Sequence, residues 1–344
     1  MTVRRVLLAS PRGFCAGVEM AIKALSWMVR VFDPPVYCYH EIVHNQGVVD
    51  RFRELGVVFV DDVSEVPEGA PLMLSAHGTA PAVAAAARAR GGVVVDAVCP
   101  LVTKVHHELK VRAGKGYTVL YVGHEGHDEA VGTMAVAPAA VRLVSEAGDV
   151  AALDLEPGAR VAMLAQTTLS QHEWQGVLDA ALARFPELWV PGRGDLCFAT
   201  TNRQDALAAI APRADAVVVI GSPNSSNTVA LVKMARSNGC ARVHRIDSAD
   251  ELPPDLSGVV GVTAGASAPE SLVAEVIARL APVEGVEEVS VIDEDEYFPP
   301  PAELRKLLRG ILAGLSAGVG RPVEAGAMLS DDRESPAADV LASF

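Results

Sequence analysis

Short β-branched apolar runs recur along the chain, and each stops at a polar cluster. Val6-Leu-Leu-Ala precedes PRGFCAG, Val36-Tyr-Cys-Tyr precedes HEIVHN, and Leu72-Met-Leu precedes SAHGT. Val93-Val-Val leads into DAVCP, Thr118-Val-Leu-Tyr-Val into GHEGHDE, and Val161-Ala-Met-Leu into AQTT. Ala216-Val-Val-Val-Ile and Val259-Val-Gly-Val-Thr lead into GSPNSSN and AGAS. Runs that are apolar at nearly every position predict strands buried on both faces of a parallel sheet. Helical patterns at 18–30, 80–90, 103–113, 170–185, 227–237 and 269–280 lie between them. Strand and helix therefore alternate, which predicts an α/β protein with right-handed crossovers. Ligands of such sheets bind at the carboxyl ends of the strands, and every polar cluster above falls at such an end.

The clusters repeat with a fixed plan. Cys15 is followed by His44 after 29 residues and His77 after 33 more; Cys99 by His127 after 28 and Thr167 after 40; Cys197 by Ser225 after 28 and Ser267 after 42. This spacing predicts three similar modules, at 11–98, 99–194 and 195–290, each giving one thiol to a shared centre. No clear strand precedes Cys197, so strand 3–9 is expected to complete the third module. Residues 291–344 form a C-terminal extension.

Half of the 344 residues are hydrophobic and 21% are charged, enough for a large core. The net charge of −14 argues against nucleic-acid binding, which needs a basic face. It also means that an anionic substrate must be held by local donors. The apolar run after Arg4-Arg5 is too short for a signal peptide, and no stretch reaches the ~20 apolar residues of a membrane span. A cytoplasmic protein is expected, with its five cysteines reduced rather than paired. Cys38, inside a strand, and Cys240 fit no copy of the plan and read as structural.

Three thiolates from distant loops leave one position of a metal centre open, which suits chemistry rather than a structural staple. Structural zinc sites use close pairs such as CxxC, and the chain has none, so a [4Fe–4S] cluster held by Cys15, Cys99 and Cys197 is the better reading. GHEGHDE is not the helical HExxH of a zinc protease, because its histidines are three apart across a glycine. His127 reads instead as a substrate donor and Glu129 as a proton source, with His124 left out of the site. His44 and His77, together with His127 and the Ser225-Ser226-Asn227 run, form a set of donors suited to a diphosphate. His40, His106, His107, His172 and His244 have no such placement.

RGFCAGV, EIVHN, SAHG, DAVCPLVTKVH, GHEGHDEAVGTM, QTTLS, CFATTNRQ, GSPNSSN and TAGASAPE, in this order, closely resemble the 4-hydroxy-3-methylbut-2-enyl diphosphate reductase family over about residues 3–300. The resemblance implies a trefoil of three α/β modules around one [4Fe–4S] cluster on Cys15, Cys99 and Cys197. It implies a diphosphate held by His44, His77, His127, Ser225, Ser226, Asn227 and Ser267. Glu129 would donate the proton, with Thr167 relaying protons or orienting the substrate hydroxyl. The implied reaction is a reductive dehydration of an allylic diphosphate to isopentenyl and dimethylallyl diphosphates, the last step of the methylerythritol phosphate route to isoprenoids. A ferredoxin or flavodoxin would supply the electrons.

Quinolinate synthase also joins three α/β modules around a three-cysteine cluster, but its carboxylate substrate calls for arginine anchors. A non-catalytic iron–sulfur or zinc protein would have no use for Glu129 and Thr167. Met20 and Ala135 depart from common family residues without touching a motif side chain. Beyond Phe298 the chain departs further. Leu304, Leu307, Leu308, Ile311, Leu312 and Leu315 at helical spacing predict a helix packed on its own protein or on a second copy in a homodimer. The tail from about Gly318 onward is expected to be disordered.

Overall fold

The computed structural model describes residues 2–155, 158–192, 194–323 and 332–344. Among these the strands are β1 (Thr2–Ser10), β2 (Val36–Tyr39), β3 (Val57–Val60), β4 (Leu72–Leu74), β5 (Val94–Asp96), β6 (Thr118–Val122), β7 (Val141–Val144), β8 (Val161–Ala165), β9 (Ala216–Ile220), β10 (Val243–Ile246), β11 (Ser257–Ala264) and β12 (Val286–Ser290). The α-helices are α1 (Ala16–Val31), α2 (Gln46–Glu54), α3 (Pro81–Ala89), α4 (Pro100–Gly114), α5 (Asp128–Met134), α6 (Ala147–Ala152), α7 (Gln171–Arg184), α8 (Phe198–Ile210), α9 (Ser226–Ser237), α10 (Glu270–Leu280), α11 (Ala302–Val319) and α12 (Ala337–Ala342). The strands form three sheets, ordered β10-β9-β11-β1-β12, β3-β2-β4-β5 and β7-β6-β8, and every pairing between them is parallel. The protein is thus built of three parallel-sheet α/β modules.

The chain divides into two compact units. The first comprises Met1–Cys15, His44–Gln46 and Leu101–Asp295, and holds the five-stranded and three-stranded sheets. In the five-stranded sheet, β1 lies between β11 and β12. Alternate residues of β1 face opposite cores: Val6 and Leu8 pack with Val273 and Val276 of α10, while Leu7 and Ala9 pack with Leu207 and Ile210 of α8 and Leu231 of α9. The three-stranded sheet is likewise covered on both faces, by Val177 and Ala181 of α7 on one side and by Val105 and Leu109 of α4 on the other. Burial on both faces explains the unbroken apolar runs. Each such Val, Leu or Ile contributes about 1.5–3 kcal/mol relative to exposure, which holds the polar loops at the strand ends in place.

The second unit comprises Ala16–Val43, Gly47–Pro100 and Glu296–Phe344, and holds the four-stranded sheet. Its core joins Leu72 and Leu74 of β4 to Ala84 and Ala87 of α3. The leucine stripe forms α11, of which Leu304 and Leu308 are buried while Ile311 and Leu315 remain exposed. The expected disorder from about Gly318 does not extend through the tail. Residues 324–331 lie outside the described ones, but α12 follows with Ala337 and Leu341 buried. The main-chain N–H of Ala337 donates to Glu19 of α1 at 2.7 Å, and Arg30 of α1 donates to the Ser343 hydroxyl at 2.7 Å. A short tail with two apolar anchors and several charged contacts folds onto a helix that offers matching charges. The polar composition hid these specific pairs.

Candidate active site

The five cysteines are free thiols, and they separate by exposure: Cys38 and Cys240 are buried, whereas Cys15, Cys99 and Cys197 are partly exposed. Burial pushes the Cys38 thiol far up from its ordinary range, leaving an inert side chain inside β2. Cys15 follows β1 in a loop fastened to the end of β11, with Gly13 N–H donating to the Ala264 carbonyl at 3.3 Å and Cys15 N–H to Ala266 at 3.1 Å. Cys197 caps α8. Its Sγ accepts the Thr200 N–H at 3.2 Å and lies 3.0 Å from the Thr200 hydroxyl. In the second unit, Cys99 stands just before α4 and donates its N–H to the Ala76 carbonyl at 3.0 Å, so its backbone is tied next to His77.

Burial first, and then the nearby Cys15, push the Cys197 thiol up to about 12. Two thiols within electrostatic reach of each other ionise at a cost unless a cation lies between them. Coordination to a metal centre removes that cost and deprotonates the sulfur outright. The donor set and the helix-capping position of Cys197 therefore fit a thiolate-bound metal centre.

Around Cys197 the first unit builds a continuous polar network. Cys197 N–H donates to the Thr167 carbonyl at 3.0 Å. Thr167 in turn donates to Glu129 twice, from N–H to Oε1 at 2.7 Å and from Oγ1 to Oε2 at 2.8 Å. Glu129 is 2% exposed. The sequence placed it at the end of a strand, and it lies instead in the first turn of α5, after the loop that ends β6. Burial raises the Glu129 carboxyl to about 7, against the lowering effect of the Thr167 bonds. The buried Asp195 adds to the rise; it is held by the Ala165 N–H at 3.1 Å and by Lys104 at 3.5 Å.

His127 caps α5, and its Nδ1 accepts the Glu129 N–H at 3.2 Å. Burial foremost, and the neighbouring His44, lower it to about 4. At neutral pH the ring is therefore neutral, and with Nδ1 acting as acceptor its one proton sits on Nε2. The His44 and His127 rings meet edge to face, with centroids 5.5 Å apart. Ser267 donates its hydroxyl to the His44 carbonyl at 2.8 Å. Asn227 Oδ1 accepts the Ala266 N–H at 3.1 Å, which couples the start of α9 to the loop after β11, the same loop whose Ala266 carbonyl accepts the Cys15 N–H. Ser225 caps α9 and Ser226 opens it, so that both hydroxyls and the first N–H groups of this 12-residue helix cluster at one end. Gly221 permits the close approach of α9 to the end of β9: its φ is +146°, and a Cβ there would collide with the Thr228 hydroxyl.

The first unit thus gathers Cys15, Cys197, His44, His127, Glu129, Thr167, Ser225, Ser226, Asn227 and Ser267, while Cys99 and His77 belong to the second. Sequence reasoning missed Gln166. This fully buried side chain accepts the His124 N–H at 3.0 Å and donates to Ser226 at 3.2 Å, joining the loop after β6 to α9. The one available signal was an amide directly before Thr167 at the end of an apolar run. His124 directs its ring toward Glu173, 3.9 Å away.

Parallel sheets with thiols, a buried carboxylic acid, a neutral histidine and a helix N-terminus at their strand ends define an α/β enzyme suited to metal-centred chemistry on an anionic substrate. A sequence profile of the LytB protein family matches residues 6–281. The chain is 48% identical over 310 residues to the 4-hydroxy-3-methylbut-2-enyl diphosphate reductase of Rhodopirellula baltica, covering 89% of this chain and 97% of that one. It is 47% identical over 309 residues to the protein of the same name from Mycolicibacterium paratuberculosis, covering 88% and 93%. Among solved structures, the E-1-hydroxy-2-methyl-but-2-enyl-4-diphosphate reductase of Plasmodium falciparum superposes with a TM-score of 0.86 at 29% identity, covering 90% of this chain and 99% of that one. The chain belongs to the LytB family. Members of this family bind an iron–sulfur cluster.

Proposed function

We propose that this protein is an oxidoreductase converting (E)-4-hydroxy-3-methylbut-2-enyl diphosphate to isopentenyl and dimethylallyl diphosphates, the last step of the methylerythritol phosphate pathway. Two electrons and two protons enter, and the allylic hydroxyl leaves as water. The observation that carries this reading is the unbroken chain of contacts from Cys197 through Thr167 and Glu129 to His127. It sets a proton-bearing acid between a thiol and a diphosphate donor. The names and high coverage of the relatives support the same activity.

Cys15, Cys99 and Cys197 hold one [4Fe–4S] cluster in this reading. When bound, the cluster supplies single electrons and a Lewis-acidic iron for the substrate hydroxyl. His44, His77, His127, Ser225, Ser226, Asn227 and Ser267 grip the diphosphate and fix the position of the allylic carbons. Local donors are essential because the protein's net charge of −14 repels the substrate. Glu129 holds its proton near neutrality and delivers it to the departing hydroxyl oxygen, which is otherwise a poor leaving group. Thr167 orients that carboxyl and passes a proton through its own hydroxyl.

A reduced ferredoxin or flavodoxin is the electron donor, and the enzyme works in the cytoplasm; among the described residues no helix is long and apolar enough to cross a membrane. A homodimer would bury the exposed Ile311 and Leu315 of α11. The decisive experiment is an anaerobic assay of the reconstituted protein with the hydroxylated allylic diphosphate and a reduced viologen, with products resolved by mass spectrometry. Formation of both five-carbon diphosphates is expected. Protein that binds iron and sulfide but leaves the substrate intact would overturn the assignment.

A further inference from the structure

Arg203 is the bulkiest of the fully buried side chains among the described residues, at 1% exposure, and it lies on the helix that Cys197 caps. Its guanidinium reaches the loop ahead of Cys15. Nε and Nη2 donate to the Gly13 carbonyl at 3.0 and 2.8 Å, and Nη2 also to the Phe14 carbonyl at 3.3 Å. Nη1 donates to the Ala199 carbonyl of its own helix at 2.9 Å and to both oxygens of Glu294 at 3.0 and 3.1 Å. Glu294 is held in turn by Asn202 at 2.9 Å.

As a source of stability this arrangement is a poor choice, since a buried ion pair gains little over apolar residues of similar volume. What an apolar residue cannot supply is a rigid planar fork with five donors in fixed directions. Three of its contacts fall on the two carbonyls directly before Cys15, and one falls on the first turn after Cys197. Gly13 is shaped to receive it. Its φ is +67°, and a Cβ would stand 3.2 Å from the Ala268 carbonyl, so its carbonyl is aimed by a conformation that other residues adopt only under strain.

We infer that Arg203 is a positioning residue for the iron–sulfur centre, bracketing the Cys15 loop to the Cys197 helix and fixing these two ligands relative to one another before the cluster is assembled. The inference rests on the proposed cysteine ligands. Like other groups that orient metal ligands, it acts on retention of the centre more than on the fold of the protein.

The test compares wild type, Cys15→Ser, Arg203→Lys, Gly13→Ala and Glu294→Gln. Each is purified anaerobically and reconstituted, then analysed for iron and sulfide per chain and for the rate of chelator-driven cluster loss. Arg203→Lys keeps the charge but not the fork, and should lose its cluster at least ~10-fold faster than wild type. Gly13→Ala leaves the arginine intact but misdirects its acceptor, and should do the same. Glu294→Gln keeps the bonds to Gly13 and Phe14; it should melt earlier, because the buried guanidinium loses its counter-charge, but at a temperature where it is folded its cluster should persist like that of wild type. Wild-type retention in Arg203→Lys overturns the inference while leaving the ligand assignment standing. If Arg203→Lys does not fold, Gly13→Ala decides by the same criterion. Cluster loss in Glu294→Gln as fast as in Arg203→Lys would show that the ion pair, and not the bracket, matters. Wild type that holds no more iron than Cys15→Ser would overturn the ligand assignment itself.

Discussion

Thr167 grips both oxygens of Glu129, with its N–H on Oε1 at 2.7 Å and its hydroxyl on Oε2 at 2.8 Å. The pairing joins the loop after β8 to the first turn of α5, and it leaves the carboxyl fixed yet able to exchange a proton through a hydroxyl. An amide in place of the acid keeps the shape and the N–H contact but has no proton to give. Glu129→Gln should retain iron and substrate affinity while losing at least ~10²-fold in turnover. Thr167→Val should lose less, because the backbone N–H still holds the carboxylate and water can replace the hydroxyl. Single-turnover rates on reconstituted protein check both; near-normal turnover in Glu129→Gln would remove it as the proton donor.

The rise of the Glu129 carboxyl to about 7 has a kinetic sign. A general acid works in its protonated form, so kcat should be level at lower pH and fall as pH rises through about 7. The groups acting on Glu129 are Asp195, which raises its pKa, and Thr167 and Tyr121, which lower it. Asp195→Asn removes a negative neighbour while keeping an acceptor for the Ala165 N–H, so the alkaline limb should move to lower pH. A limb that stays in place in the Asn variant would mean that another group sets it.

The eight strand runs read from hydropathy all lie in parallel sheets, because strands buried on both faces leave an apolar signature that solvent-facing ones do not. β7, β10 and β12 were not legible, while β3, apolar throughout as Val57-Val-Phe-Val, carried the signature but was not read as a strand. Each lies at the edge of its sheet, and β12 reads Val-Glu-Glu-Val-Ser with every other residue exposed, the mark of a strand with one open face. The polar site residues were legible because they follow those core runs directly. Gln166 and Arg203 were not, since their roles depend on partners far along the chain: Ser226 for one, Gly13 and Phe14 for the other. The turn of helix that carries Glu129 was missed for a local reason. The helix is only seven residues long with Gly132 inside it, and the cap is a histidine rather than the usual Ser, Thr, Asp or Asn.

His127 performs two tasks that substitution can separate. Its Nδ1 caps α5 through the Glu129 N–H, and its Nε2 carries the proton available to an anion. Asparagine is a good helix cap but too short to reach as the imidazole does. His127→Asn should keep wild-type thermal stability and raise KM by about 10- to 100-fold, the loss expected for one hydrogen bond to a charged group at about 1.5–3 kcal/mol. Steady-state kinetics and thermal melts of the Asn and Ala variants test this, with the Ala variant also expected to melt earlier. An unchanged KM in His127→Asn would take the histidine out of the diphosphate grip.

The tail makes a prediction about stability alone. Lys23 of α1 is 6% exposed, and its ammonium is neutralised by Glu19 at 3.4 Å and Asp332 at 3.5 Å; it also donates to the Asp332 carbonyl oxygen at 3.1 Å. A cation enclosed this way needs its partners, so Asp332→Asn should destabilise by about 1–3 kcal/mol, the cost of leaving a buried polar group poorly paired. Removing the charge that needs pairing should cancel the effect. In Lys23→Met the further change Asp332→Asn should cost almost nothing, which gives a coupling of about 1–3 kcal/mol in a double-mutant cycle read from denaturant unfolding. A coupling below about 0.5 kcal/mol would assign the hold on the tail to the buried Ala337 and Leu341 instead, since additivity is what independent sites show.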